Sequence, residues 1–137
     1  ARIGIPTRVE AMPSSVYFTR ANKLEFSFML QGWAADTLEA SSPLKSLIAT
    51  YSREKGMGAS NRGRYGNPKV DSVLDQALAT VDDGRRERLL QQASEIALAD
   101  TGIIPLHHQV NLWVARKGTG YAARIDERTY AAEFRPQ

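Results

Sequence analysis

The sequence contains no cysteine, so neither a disulfide framework nor a thiolate metal site is open to it. That absence says nothing of the compartment. No apolar run approaches the roughly 20 residues that a bilayer-spanning helix requires, so we do not expect the chain to span a membrane. Charge of one sign is not concentrated either: 18 Lys and Arg stand against 15 Asp and Glu, for a net charge of +3. The basic residues are scattered apart from Arg62-Gly63-Arg64, Arg85-Arg86-Glu87-Arg88 and Arg116-Lys117. The second of these reads as a solvated helix face with an acid beside it. A nucleic-acid footprint puts a denser basic stripe with interleaved aromatics on one face, so nucleic acid is not an expected partner. Catalytic signatures are missing as well. No HExxH, P-loop or GxSxG pattern occurs, and nothing pairs a nucleophile with a base. We therefore expect no enzyme, no catalytic residue, no cofactor and no metal site.

What is present is ordinary globular material: 137 residues, 42% hydrophobic and 24% charged, enough for one domain with a real core. The chain opens on "ARIGIP", without Met and without a basic-then-apolar export signal, and we expect it to be a piece of a longer protein. Residues 3–11 alternate Ile3, Ile5, Val9 and Ala11 with polar or turn residues, a strand pattern weakened by Pro6. Pro13-Ser14-Ser15 offers a helix start, and Tyr17, Ala21 and Leu24 follow on one helical stripe. Residues 25–31 alternate again, with Phe26, Phe28 and Leu30 on one side. Strand, helix and strand at this spacing predict a βαβ crossover with parallel strands, hence an α/β fold.

Beyond the second strand, Ser41-Ser42-Pro43 precedes Leu44, Leu47, Ile48 and Tyr51 at helical spacing, a helix expected to stop by Lys55-Gly56. "GMGASNRGRYGNP" carries four glycines and no period, so it is an irregular loop of the kind that is often functional. Asn67 as N-cap and Pro68 at the first helical position begin the next helix. Val70, Val73, Leu74, Ala77, Leu78 and Val81 form its stripe. A further helix from about Gly84 to Asp100 turns Leu89, Leu90, Ala93, Ile96 and Ala97 inward, with Gly102 expected to end it in the left-handed conformation. The two make a helical hairpin that turns at Asp82-Asp83-Gly84. Residues 102–117 alternate once more. Ile104, Leu106, His108, Val110, Leu112 and Val114 should face the core, with His108 a satisfied core histidine. His107, Gln109, Asn111 and Trp113 should face a wet cleft.

His107 and His108 point to opposite faces of such a strand and form no dyad; His107 alone is placed to meet a ligand. The stretch Gly32-Trp33-Ala34-Ala35-Asp36 closes the second strand with a large aromatic and a lone carboxylate. Carboxyl ends of strands in α/β sheets are where such folds put ligands. Asp36 there could meet a cationic or amine group, or it could cap the next turn or pair with Arg62 or Arg64. Arg62 and Arg64, with Tyr65, could hold an anionic group or tie their loop to the domain through salt links.

Taken together, Gly32-Trp33-Ala34-Ala35-Asp36, "RYGNPKVDSVLDQAL" at 64–78 and "ADTGIIPLHHQVNLWVARKG" at 99–118 resemble one family. It is the peptide/nickel family of extracytoplasmic solute-binding proteins that serve ABC importers, and the likeness is to their C-terminal lobe. The resemblance covers about residues 3–118. It implies a periplasmic-binding-protein-like lobe at 1–117, partial, with 118–137 returning toward a first lobe. It further implies solute capture by closure of two lobes and delivery to ABC permease subunits, in the periplasm or another extracytoplasmic space of a bacterium. In the family's peptide binders the Asp of the motif meets the peptide's α-amine. That position is Asp36, with Trp33 lining a side-chain pocket and the Gly32–Ala34 backbone offered to an extended ligand. The strand after the hairpin lines the cleft, with Gln109 where some peptide binders place a Tyr. His107 and Asn111 beside it make the face more polar, and Thr37 to Ser42 lack the family's frequent Asp-Pro step. Dipeptide, longer peptide, another amine-bearing solute or a metal chelate remain open as ligands. The rival readings are a stand-alone α/β interaction module and, behind it, a hydrolase.

Overall fold

Asn67 and Pro68 start the helix on which the rest is built. The Asn67 side chain accepts the Lys69 amide at 2.9 Å, satisfying an amide that the first helical turn leaves without a partner, and Pro68 has no amide to satisfy. In the computed structural model the described residues are 4–35, 37–124 and 126–136. Ile3 of the expected first strand, and Asp36, lie outside them. The elements are α1 (Ser14–Asn22), α2 (Ser41–Pro43) running into a π-helical turn (Leu44–Ile48), α3 (Pro68–Leu78), α4 (Asp83–Ala99), β1 (Thr119–Gly120), a 3-10 turn (Ala131–Glu133) and β2 (Arg135–Pro136).

Helices α3 and α4 form the expected hairpin. Asp82 caps α4 by accepting the Arg85 amide at 2.7 Å. Val70, Leu74 and Ala77 of α3 pack against Leu90, Ala93 and Ala97 of α4, and Leu44, Ile48 and Ala49 close the cluster. Val70 and Leu74 are fully buried, and each contributes roughly 1.5–3 kcal/mol of burial free energy. Three ends of the predicted helices move. Leu24, expected on the stripe of the first helix, lies beyond α1 in the left-handed region at φ +59° and is exposed. Val81 falls beyond α3 and is exposed, and the helix expected to reach Lys55 stops at Ile48, leaving Tyr51 half out. The backbone turns at Ala49, whose amide reaches back to the Leu44 carbonyl.

Helix α4 ends by a double-bonded left-handed cap, but not at the residue expected. Thr101 takes the positive φ of +56°, while its amide reaches the Leu98 carbonyl and the Gly102 amide reaches Ala97. Gly102 is needed for another reason: a Cβ there would lie 3.0 Å from the Tyr65 ring.

The sheet differs most from expectation. Among the described residues the only paired strands are β1 and β2, antiparallel, with Thr119 opposite Pro136 and Gly120 opposite Arg135. Helices with this small sheet make a mixed α/β composition, and no parallel strand pair is assigned among the described residues. Residues 5–11, 25–31 and 103–114 carry no strand assignment. Their apolar rows meet solvent: Val9 is 87% exposed, Phe28 79%, Leu112 87% and Val114 98%. His108, expected in the core, is exposed as well. The physical reason is that an extended segment cannot satisfy its own backbone or cover its own apolar face; both need neighbouring strands. Residues 25–31 instead lie along α1. Tyr17 stacks on Phe26 at 5.6 Å and its hydroxyl donates to the Leu30 carbonyl.

After residue 118 the chain folds back on itself. Tyr121 stacks on Phe134 at 4.8 Å and packs against Trp113. Arg124 holds Asp126 and Glu133 together and lies over the Tyr130 ring.

Candidate functional site

The loop after residue 31 is positioned from three sides. From one side, Arg62 donates to the Gln31 side chain at 2.7 Å and to the Asn22 side chain at 3.0 Å, and its guanidinium lies over the Phe18 ring. The glycine-rich loop is thereby braced against α1 and against the residue just before Gly32. Among the described residues the brace is made with side-chain amides and a ring. Arg64 sits on the Tyr51 ring at 4.4 Å.

From the second side, the Trp33 indole N–H donates to the Ser42 hydroxyl at 3.3 Å, joining the motif to the start of α2. Trp33 nevertheless keeps 40% of its surface exposed. Gly32 and Ala34 are exposed, and a Cβ built on Gly32 meets nothing within 4 Å. Residues 32–34 thus stand exposed to solvent.

From the third side, Arg86 of α4 grips Glu39. Its Nε and Nη2 donate to the two carboxylate oxygens, the latter at 3.1 Å, while Nη1 donates to the Ala77 carbonyl at the end of α3. Ser41 donates to the same carboxylate at 2.8 Å. Arg86, with Ser41 second, holds the Glu39 carboxyl below the usual carboxylate range. Between Ala35 and Glu39, Leu38 takes a positive φ of +57° and donates its amide to the Ala35 carbonyl. A branched residue in that conformation stores about 1–3 kcal/mol and persists only where its surroundings enforce it. Beside this loop an open groove of about 720 Å³ runs along α4, bordered by Leu38, Glu39, Arg86, Glu87 and Gln91.

Sequence reasoning took Arg86 for a solvated helix residue. The signal that places it was available: Arg86, Leu90, Ala93 and Ala97 follow one helical stripe, and an arginine on a core-facing stripe calls for an acid. Asn61 was also missed. It is 4% exposed, donates to the carbonyls of Ala49 and Tyr65 at 3.0 and 2.7 Å, and accepts the Tyr65 amide. An Asn inside a glycine-rich loop gives no period by which to recognise it. Tyr65 in turn donates to Asp100, and its burial pushes the phenol up from its ordinary value.

His107 and Gln109 are exposed, and Asn111 is half-buried and accepts from Gln109 at 3.4 Å. Among the described residues no hydrogen bond joins 107–111 to 30–35. Asp36, the residue of greatest interest, lies outside the described residues. No three His, Cys, Asp or Glu side chains among the described residues group as metal ligands, and no described helix is long and apolar enough to cross a membrane.

The chain is 31% identical over 107 residues to the oligopeptide-binding protein OppA of Mycobacterium tuberculosis, covering 77% of this chain and 17% of that protein. The chain matches a segment of the peptide/nickel family of solute-binding proteins. Two further relatives in this solute-binding family carry different names. One is the probable D,D-dipeptide-binding periplasmic protein DdpA of Escherichia coli K12, 28% identical over 105 residues, 77% of this chain and 20% of that protein. The other is heme-binding protein A of Haemophilus influenzae, 27% identical over 110 residues, 80% of this chain and 19% of that protein. The chain thus spans about a sixth to a fifth of the length of these solute-binding relatives. No family model matches the sequence, and no solved structure matches it.

Proposed function

We propose that this chain forms part of the ligand-binding lobe of an extracytoplasmic solute-binding protein that delivers its ligand to an ABC importer. The ligand is a peptide or another amine-bearing small solute, and the protein captures it rather than transforming it. The observation that carries the reading is the open, braced loop at 32–35 within a sequence similar to proteins named for binding peptides. On this reading the 32–34 backbone pairs with an extended ligand, Trp33 walls a side-chain pocket and Asp36 meets the ligand's amine. His107, Gln109 and Asn111 line the facing part of the cleft. A relative named as heme-binding supports a family-wide range of solutes broader than peptides.

Two further features belong to this proposal. Residues 5–11, 25–31 and 103–114 are strands of a sheet, the first two parallel across α1, completed by parts of a longer protein. Residues 1–117 belong to the lobe and 118–137 lead toward its partner. The exposure of the apolar rows supports this, since a row such as Leu106, Val110, Leu112 and Val114 is written for burial. The same exposure disfavours a self-sufficient interaction module. Ligand then favours closure by contacts made across both lobes at once.

The test is calorimetry on the two-lobed protein. Asp36→Ala should weaken binding of a peptide with an unblocked amine by about 2–5 kcal/mol, the range for leaving one partner of a charge pair alone. An N-acetylated peptide should bind both forms alike. Unchanged affinity for the unblocked peptide removes Asp36 from the site. This 137-residue chain by itself should show no tight peptide binding, and micromolar affinity for it contradicts the two-lobe reading.

A further inference from the structure

We propose that the Glu39–Arg86 pair is a latch that sets the position of Trp33, making Arg86 on the helical hairpin a positioning residue for the 32–35 loop. The inference rests on reading that loop as part of a solute site, but its geometry stands by itself. The path is short and continuous. Arg86 is fixed at the α3 end by the Ala77 carbonyl and grips both oxygens of Glu39. Ser41 holds the same carboxylate, and the next residue, Ser42, accepts the Trp33 indole N–H. One residue before Glu39, Leu38 sits in the left-handed region with its amide bonded to Ala35.

Each link explains the next. A left-handed leucine relaxes to an ordinary conformation once nothing enforces it. The enforcing contact at hand is the carboxylate clasp on Glu39, whose two side chains are only 23% and 32% exposed. A forked guanidinium on a carboxylate fixes direction as well as distance, which a lysine would not. On the far side of the loop, among the described residues, Leu38 is 70% exposed and Thr37 is exposed. The hairpin is the most deeply packed part of the molecule, so the latch refers a surface loop to a rigid frame.

The experiment uses this chain with Trp113→Phe, which leaves Trp33 as its sole tryptophan. Glu39→Ala should shift Trp33 emission to the red, raise its quenching by acrylamide and speed exchange of the Leu38 amide, with helical ellipticity retained. Ser41→Ala should move all three the same way by less, and it decides the matter if Glu39→Ala loses its helices. Asp75→Asn breaks the exposed Lys55–Asp75 pair at the other side of α3 and should leave Trp33 unmoved. Unaltered Trp33 emission in Ser41→Ala and in a folded Glu39→Ala overturns the latch. So does an equal shift in Asp75→Asn. The readout needs no solute. An unmoved Trp33 therefore leaves the binding proposal standing, whereas failed peptide binding with a responsive Trp33 does the reverse.

Discussion

The α3–α4 hairpin and the segment 103–114 carry equally regular apolar patterns, yet one is buried and the other is bare. Val70, Leu74, Ala77, Leu90, Ala93 and Ala97 recur at helical spacing and are 0–3% exposed. Ile104, Leu106, Val110, Leu112 and Val114 recur at strand spacing and are 57–98% exposed. The difference lies in where each element finds its backbone partners. A helix closes its own hydrogen bonds and needs only one face covered, which a neighbouring helix a short turn away supplies. A strand needs at least one strand beside it and a layer on its face. Periodicity reports what a segment is built to do, and burial reports whether its partners are at hand.

The sharpest way to break this contrast is a pair of truncations. Leu74→Ala should destabilise the fold by about 2–5 kcal/mol, because it opens a cavity at a fully buried position. Leu112→Ala should change stability by less than about 0.5 kcal/mol, as an exposed substitution does. Urea unfolding followed by helical ellipticity reads both, and equal effects would refute the division into covered and bare regions. A middle case is Asn61→Ala. It strips partners from the buried carbonyl of Ala49 and from the half-buried carbonyl and amide of Tyr65. About 1–3 kcal/mol should be lost in the same assay. A loss within error would mean that the loop does not share in the hairpin's stability.

The smallest effect concerns the fold-back after residue 118 and is read by pH. Arg124 is the main cause that holds the Asp126 carboxyl down to about 2 from an ordinary 3.8. A lowered value means that the folded form favours the carboxylate. Its contribution is complete above pH 3.8 and is lost as pH falls through about 2. With Trp33→Phe, emission from Trp113, which packs on Tyr121, should therefore change in that acid window. Asp126→Asn should remove the step, and a step of the same size in that variant would rule out this cause.

The sequence disclosed the hairpin nearly residue by residue, because its capping chemistry is local: Asn67, Pro68 and Asp82 act within three residues of themselves. It disclosed the alternation of 103–114 but not its exposure, since that depends on what lies alongside. Left-handed residues were legible only in part. Gly102 looked like the end of α4, yet the chain puts Thr101 there and keeps the glycine for its clearance of Tyr65. Of the candidate site, the Gly32-Trp33 loop was legible as a motif, whereas its braces were not. Arg62 reaches 31 residues back to Gln31, and Arg86 reaches 47 back to Glu39. Contacts over such separations leave no period in a sequence.

The contact between Gly102 and Tyr65 has a mechanical consequence. The extended segment begins one residue after a backbone that rides on the face of a ring, and that ring is tethered by its hydroxyl to Asp100. Such a joint has little play toward the ring. A load applied along 103–114 is delivered to Tyr65, from there to Asn61, and so to the turn at Ile48 and Ala49. The loop is thus a strut between the segment and the core, and a bulkier residue at position 102 would unseat the strut before it strained the helix.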